Sequence, residues 1–392
     1  MKYFNVFIGK NGTGKTYFAK LIYFLTDHKY SRNLFEKMFS DKIDKAFHNK
    51  SDLLITVAEQ KKFTNSLEND IKNNYALMIK ANKKLFSNFS FNIEIDTNED
   101  FIYMNKTKEY DEYKFLCGIE FIKKTFDNLF SYYLPAARAN YMTTYKNLIE
   151  SILKNVRASQ LRKSSNVDYG LPEIELNFLL DIQNVDTAEN GFFSTLALKI
   201  EREIFLNGRV SIRNPKSQDM PTYEYVLKEQ KTALDLIAAS SAVAELSPLI
   251  LYLRHIIVYE KDNFLIIDEP ELSLHPEAQA KLVSILVEAV NQGLKLILVT
   301  HSPYIIEALN NHLLRDKIDK YELPNNIKKV PKISYEKVGS YLFEDKTIKN
   351  IMNEEFKIID DKLLNTFNSI GNLYDRMSSI EWESSDNGVL NQ

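Results

Sequence analysis

The spacing of apolar residues changes several times along the chain, and each change marks an element. Tyr3 to Ile8 form an almost unbroken apolar run, which predicts a short buried strand ending at Gly9. Phe18, Leu21, Ile22 and Leu25 then recur at helical spacing, so strand, loop and helix follow in quick succession. Residues 31–85 are rich in Lys and Asn with scattered apolar positions and read as helical. From Phe89 the period becomes two: Phe89, Phe91, Ile93 and Ile95 alternate with polar residues. The turn-forming residues 97–100 lead on to Phe101–Tyr103, which predicts an antiparallel hairpin.

Residues 119–165 read as helix, broken at Leu134-Pro135. A second hairpin is predicted between 208–213 and 223–226, with Pro215 and Pro221 in its loop. A helix over 232–259 precedes the apolar strand Phe264 to Asp268. The next helix opens at Pro276 and closes before Gly293, with Leu282, Ile285, Leu286 and Ala289 as its buried stripe. Leu294 to Thr300 is a further strand, after which Ser302 and Pro303 supply the cap and first residue of a helix. Strands alternating with helices predict an α/β fold: a mostly parallel sheet covered on both faces, with antiparallel hairpins and a large helical insertion. The division expected is a discontinuous core, 1–30 and 232–325, an inserted helical arm, 31–231, and a helical acidic tail, 326–392. From Glu344 onward Asp and Glu outnumber Lys and Arg.

Composition mostly excludes. At 44% hydrophobic and 26% charged, the chain is a globular protein rather than a disordered one. A net charge of −3 creates no global field calling for nucleic acid or membrane. The longest apolar stretch, Leu246 to Tyr259, contains Arg254 and His255 and is too short to span a bilayer. No signal-peptide layout precedes Gly9, and the single cysteine, Cys117, suits a reducing compartment, so a cytoplasmic location is expected. Glycine, however, is scarce: of 11 in 392 residues, Gly9, Gly12 and Gly14 fall within six positions.

Those glycines belong to Gly9, Lys10, Asn11, Gly12, Thr13, Gly14, Lys15 and Thr16, which fit G-x-x-x-x-G-K-[ST], the phosphate loop. Bare backbone lets successive N–H groups turn inward around a polyphosphate, at a helix N-terminus whose dipole favours anions. Lys15 is expected to reach the β- and γ-phosphates of ATP and Thr16 to hold Mg²⁺, with Tyr17 beside them. Asp268, at the C-terminal end of a buried strand, is where open α/β sheets bind ligands and would complete the Mg²⁺ shell. Glu269 would polarise the attacking water. His301, at the end of the next strand, is placed to hydrogen-bond a γ-phosphate.

Together, the phosphate loop, the run from Phe264 to Pro276 and the segment Val299–Pro303 resemble ABC-type ATPases of the RecF, SMC and OLD branch. The likeness is nearest in kind to the ATPase subunits of bacterial anti-phage systems. It implies a head-to-tail homodimer, or a higher homo-oligomer, sandwiching two ATPs. Within it Leu134-Pro135-Ala136-Ala137-Arg138 is similar to a Leu-Pro-x-x-Arg segment, which makes Arg138 a nucleotide-binding candidate. Arg138 reads equally as a surface arginine beside a proline-broken helix. Ser240 and Ser241 stand where the signature motif belongs and would contact the opposite subunit's γ-phosphate; they also read as an ordinary helix start. Ala242 replaces a glycine usual there. Relatives carry an antiparallel strand pair before the phosphate-loop strand, here either lacking or rebuilt from the hairpins at 88–105 and 208–227.

The resemblance implies an ATP-hydrolysing switch that senses infection and controls a separate effector, a nuclease or toxin. The alternative is a RecF/SMC-like DNA-repair ATPase, which the mixed charges of residues 28–84 do not favour. A self-contained OLD nuclease is disfavoured because the chain has no Asp-x-Asp.

Overall fold

A computed structural model describes residues 2–26, 38–41, 53–56, 62, 65–66, 103–106, 113–117, 129–161, 171–185, 191–205, 208–213, 221–227, 232–258, 262–344, 347–353, 357–358 and 377. Its centre is a six-stranded sheet. In chain order its strands are β1 (Phe4–Gly9), β5 (Leu129–Leu134), β9 (Asp262–Asp268), β10 (Lys295–Val299), β11 (Val338–Glu344) and β12 (Thr347–Asn350). In space the order is β12-β11-β1-β10-β9-β5. All neighbours are parallel except β12, which runs antiparallel to β11.

Because successive side chains of a strand point to opposite faces, the central strands must be apolar on both. Phe7, Ile266, Ile297, Val299 and Tyr133 pack on one face with Leu21, Ile22 and Phe24 of α1 (Lys15–Thr26). Phe4, Val6, Ile8, Leu265, Ile267, Leu296 and Leu298 bury the other face. The helices there are α2 (Arg138–Leu161), α3 (Glu173–Gln183), α4 (Ser194–Glu203), α5 (Ser241–Leu251), α6 (Pro276–Asn291) and α7 (Pro303–Lys317). Two small antiparallel sheets stand apart, β2 (Leu53–Thr56) with β4 (Tyr113–Cys117) and β3 (Tyr103–Lys106), and β6 (Arg209–Arg213) with β7 (Thr222–Leu227) and β8 (Thr232–Asp235).

The expected α/β class, with a mostly parallel sheet and antiparallel hairpins, is the observed one. The hairpin of β6 and β7 forms with Arg209 opposite Val226, and gains β8 as a third strand. Four local expectations are corrected. The helix predicted before Pro135 is instead β5, a Phe- and Tyr-rich strand buried from Tyr132 to Leu134 beside β9. The helix predicted from 232 starts at Ser241, because Asp235 first caps a 3₁₀ turn over Leu236–Ala238 and Ser240 then caps α5. Leu53–Thr56 is strand rather than helix. The supposed helical tail, after a short helix over Asn325–Lys328, carries β11 and β12, with β11 pairing against the phosphate-loop strand. The main sheet therefore recruits strands from segments read as arm and tail, and β12 is its antiparallel member. Of the hairpin expected over 88–105 only residues 103–105 are described, in β3, which pairs with β4; the rest of it and most of the tail beyond residue 358 lie outside the described residues.

The β6–β7–β8 sheet is tied to the helical layer through a buried ion pair. Arg254 and Glu201, both at least nine-tenths buried, meet at 2.6 Å. The Arg254 guanidinium donates to the carbonyl of Val210 on β6, and Glu201 accepts from the N–H of the same residue. Removing one partner strands a buried charge, which costs far more than the pair contributes. Arg254→Ala should accordingly destabilise the protein by roughly 3–5 kcal/mol in urea unfolding.

Candidate functional site

The register of the parallel strands sets the site. Val299 lies opposite Asp268, and Gly9 lies opposite Phe343, so the strands end along one edge. Gly9, Thr300-His301, Asp268-Glu269 and Pro135–Arg138 are thus neighbours at the C-terminal edge of the sheet, where α/β folds bind ligands.

At this edge the phosphate loop takes a conformation that side chains would oppose. Gly9 has φ 148°, and a Cβ there would lie 2.4 Å from the carbonyl oxygen of Phe343. Gly12 and Gly14 adopt φ 78° and 95°, with nothing within 4 Å of where a Cβ would stand, so the loop is an open cradle. The Lys15 ammonium is buried and donates to the carbonyls of Gly9 and Lys10, both at 2.9 Å. Burial lowers its pKa, and the negative charges of Asp268, Glu269 and Glu271 oppose that shift. Lys10, Asn11 and Tyr17 line the exposed side of the loop, with Thr13 folded back on the carbonyl of Lys10.

Asp268 is 3% exposed and is held from both sides. Thr16 Oγ1 donates to one carboxylate oxygen at 3.2 Å and Tyr133 Oη to the other at 3.0 Å. Burial pushes its pKa up, and those two hydrogen bonds draw it down. Glu269 follows with a left-handed backbone, φ 47°. Glu271 accepts from the N–H of His301 at 2.7 Å and from Thr300 Oγ1 at 2.9 Å. The His301 pKa is lowered, first by burial and then by the Lys15 charge, which leaves a neutral imidazole at pH 7.

Residues 4–307 match the family model described as "AAA domain, putative AbiEii toxin, Type IV TA system". The chain belongs to this family. No curated protein matches it. Solved structures similar to this AAA domain include an SMC head domain from Thermotoga maritima, 14% identical over 43% of this chain and 49% of that one, TM-score 0.25. A second is an SMC head bound to the C-terminal winged-helix domain of ScpA, 11% identical over 90% of each chain, TM-score 0.38. A third is an SMC head with an extended coiled coil, bound to the C-terminal domain of ScpA derived from Pyrococcus furiosus: 11% identical over 60% and 55%, TM-score 0.26. This AAA domain therefore spans about half the length of the first and third. Its mostly parallel sheet, with the glycine-rich loop and the acidic strand end at one edge, lies within the span that the AAA-domain model matches.

Lys15, Thr16, Asp268, Glu269 and His301 come together; Ser240 and Ser241 do not join them. Ser240 caps α5, accepting from the N–H of Val243 at 3.4 Å. Arg138 is 1% exposed, which removes the surface reading, and its guanidinium meets main-chain carbonyls rather than the loop. Two contributors escape sequence reasoning. Glu271 is the third carboxylate of Asp-Glu-Pro-Glu, a signal present but unused, whereas Tyr133 sits on a strand misread as helix. Among the described residues no three His, Cys, Asp or Glu side chains converge on a metal position. No described helix is long and apolar enough to cross a membrane.

Because the folded pKa of Asp268 is raised, its ionised form costs stability at neutral pH, and the cost fades as pH falls towards that pKa. Asp268→Asn should therefore raise the melting temperature at pH 7. That advantage should shrink as the pH is lowered towards ~4.

Proposed function

We propose that this chain binds and hydrolyses ATP as a nucleotide-gated dimeric switch. The observation that carries the reading is the hydrogen bond from Thr16 to Asp268 beside the buried Lys15. It joins the phosphate-loop helix to the acidic strand end across 252 positions of sequence.

The residues present fit the groups this activity needs. The open backbone at Gly12 and Gly14 and the N-terminus of α1 accept a triphosphate. Lys15 exchanges its two carbonyl partners for phosphate oxygens, and Lys10, Asn11, Thr13 and Tyr17 flank the loop. Thr16 and Asp268 would hold Mg²⁺, an arrangement of few protein oxygens completed by phosphates and water. The ion would neutralise charge on the β- and γ-phosphates. Glu269 orients and polarises the attacking water. His301, neutral and fixed through its N–H by Glu271, donates to the γ-phosphate and registers its presence. Ser240 and Ser241, at the exposed start of α5, would meet the nucleotide of a second subunit.

A cytoplasmic sensor or scaffold role in anti-phage defence, with a separate nuclease or toxin as effector, is the wider setting we infer. It is supported by a family description that names a toxin of a toxin–antitoxin system.

Lys15→Ala should weaken ATP binding by about 100-fold, the loss of roughly 3 kcal/mol of charge-assisted hydrogen bonding, in equilibrium binding with a fluorescent nucleotide. Undiminished binding would sink the reading. Glu269→Gln should lower turnover by about 10²–10⁴-fold. The same variant should elute with ATP as a dimer carrying trapped nucleotide; a persistent monomer counts against the sandwich. Salt-sensitive DNA stimulation of turnover would replace the defence role with DNA repair.

A further inference from the structure

Glu269 is one of three described non-glycine residues with positive φ, at 47°, alongside Ala137 at 54° and Ser273 at 62°. A left-handed backbone at a residue with a long side chain is strained and persists only where its surroundings impose it. On one side the Glu269 N–H donates to the carbonyl of Val299 at 2.8 Å. On the other side stands Arg138.

The Arg138 guanidinium is buried and spread over four main-chain carbonyls. Nη1 donates to Asp268 at 2.6 Å and to Pro135 at 3.1 Å. Nη2 donates to the carbonyl of Glu269 at 3.3 Å. Nε donates to the carbonyl of Glu245 at 3.0 Å and lies 3.6 Å from the Glu245 carboxylate. Glu245 belongs to α5, the helix that Ser240 caps. Arg138 is itself the first residue of α2, directly after the strained Ala137. One planar cation thus touches the strand end carrying Asp268 and Glu269, the helix carrying Ser241, and the start of α2.

The return contact runs from Glu245. Burial pushes its carboxylate pKa up, and the Arg138 charge and the N–H groups of Ala139 and Arg138 oppose that shift. The carboxylate therefore faces the N-terminus of α2, where a negative charge is favoured. The Arg138–Glu245 contact thus joins α2 to α5, two helices that also pack against each other in the core.

We propose that Arg138 is the positioning residue of the site: it locks the left-handed backbone of Glu269 and ties it to α5, so that a shift of the Ser240–Ser241 end re-aims the Glu269 carboxylate. The proposal rests on the reading of Glu269 as the residue that polarises water. Arg138 itself touches no reacting atom. Its fork of donors spans carbonyls on three segments, which the single ammonium of a lysine cannot do.

The test uses the full chain with Arg138→Lys, Glu245→Gln and Glu269→Gln, measuring nucleotide affinity separately from turnover. Arg138→Lys should bind ATP within about threefold of the wild type while losing ~100-fold in kcat, the cost of misplacing a reacting group by about 1 Å. Combined with Glu269→Gln it should cause no further loss, because the carboxylate being aimed is already gone. Glu245→Gln, which keeps the shape and the main-chain acceptor, should lose about tenfold in kcat at unchanged KM, again only when Glu269 is present. Unchanged kcat, a loss that follows ATP affinity, or equal losses with and without Glu269 each overturn the proposal. Should Arg138→Lys fail to fold by circular dichroism, the Glu245→Gln cycle decides alone. A wild type without Lys15-dependent turnover removes the reading of Glu269 and this proposal with it. Wild-type turnover with an undiminished Arg138→Lys removes the proposal only.

Discussion

Everything at the site follows from ending several parallel strands at one edge while keeping their charged residues out of water. Lys15, Arg138, Asp268 and Glu271 are all largely buried there, within a few residues of three different strand ends. Isolated buried ions are prohibitively costly, so each must be answered by an opposite charge or by hydrogen bonds. Lys15 and Arg138 both feel the carboxylates of Asp268, Glu269 and Glu271, and burial opposes the charged form of both cations. Asp268 and Glu271 show the same conflict with the sign reversed, since burial raises both pKa values and their hydrogen bonds resist it. On the proposed function, a polyphosphate with its counter-ion would enter a balance of buried charges that is already tight.

What was legible in the sequence is what local chemistry dictates. The phosphate loop needs glycine at positive φ within a few residues, and the glycine cluster displays that need directly. The strand ending at Asp268 and the Ser302-Pro303 helix start are likewise local, since Ser302 accepts from the N–H groups of Tyr304 and Ile305. What was not legible depends on partners far away in sequence. Leu129–Leu134 has no periodicity that separates strand from helix, and becomes a strand because Asp262–Asp268 offers it a parallel edge. Val338–Glu344 owes its place to Phe4–Gly9, more than 300 positions upstream. Arg138 looked ambiguous for the same reason: its carbonyl acceptors come from residues 135, 245, 268 and 269.

The break before α5 matters as much as the helix. An uninterrupted helix from 232 would have carried Ser240 and Ser241 through its middle, with their side chains committed to whichever face the period assigned. Instead Asp235 caps a 3₁₀ turn, Ser240 caps the following helix, and Ser241 occupies its exposed first turn. Ile237 is left 68% exposed immediately upstream. An exposed helix N-terminus flanked by an apolar residue is suited to an incoming anion and a second protein surface together. The capping role of Ser240 and a role in contacting nucleotide are therefore compatible, since the cap is what brings the free N–H groups to the surface.

The order of strands also fixes where a mechanical input would be felt first. Among the described residues, the segment between α1 and α5 returns to the main sheet only through β5, and β5 pairs directly with β9. Its continuation, α2, begins at Arg138 and runs for 24 residues. A displacement of that helix acts on Arg138, and through it on the carbonyls of Asp268 and Glu269. On the proposed function, the aim of Glu269 depends on β9 and on Arg138, so a signal arriving along α2 would act on the rate of the chemical step through those carbonyls.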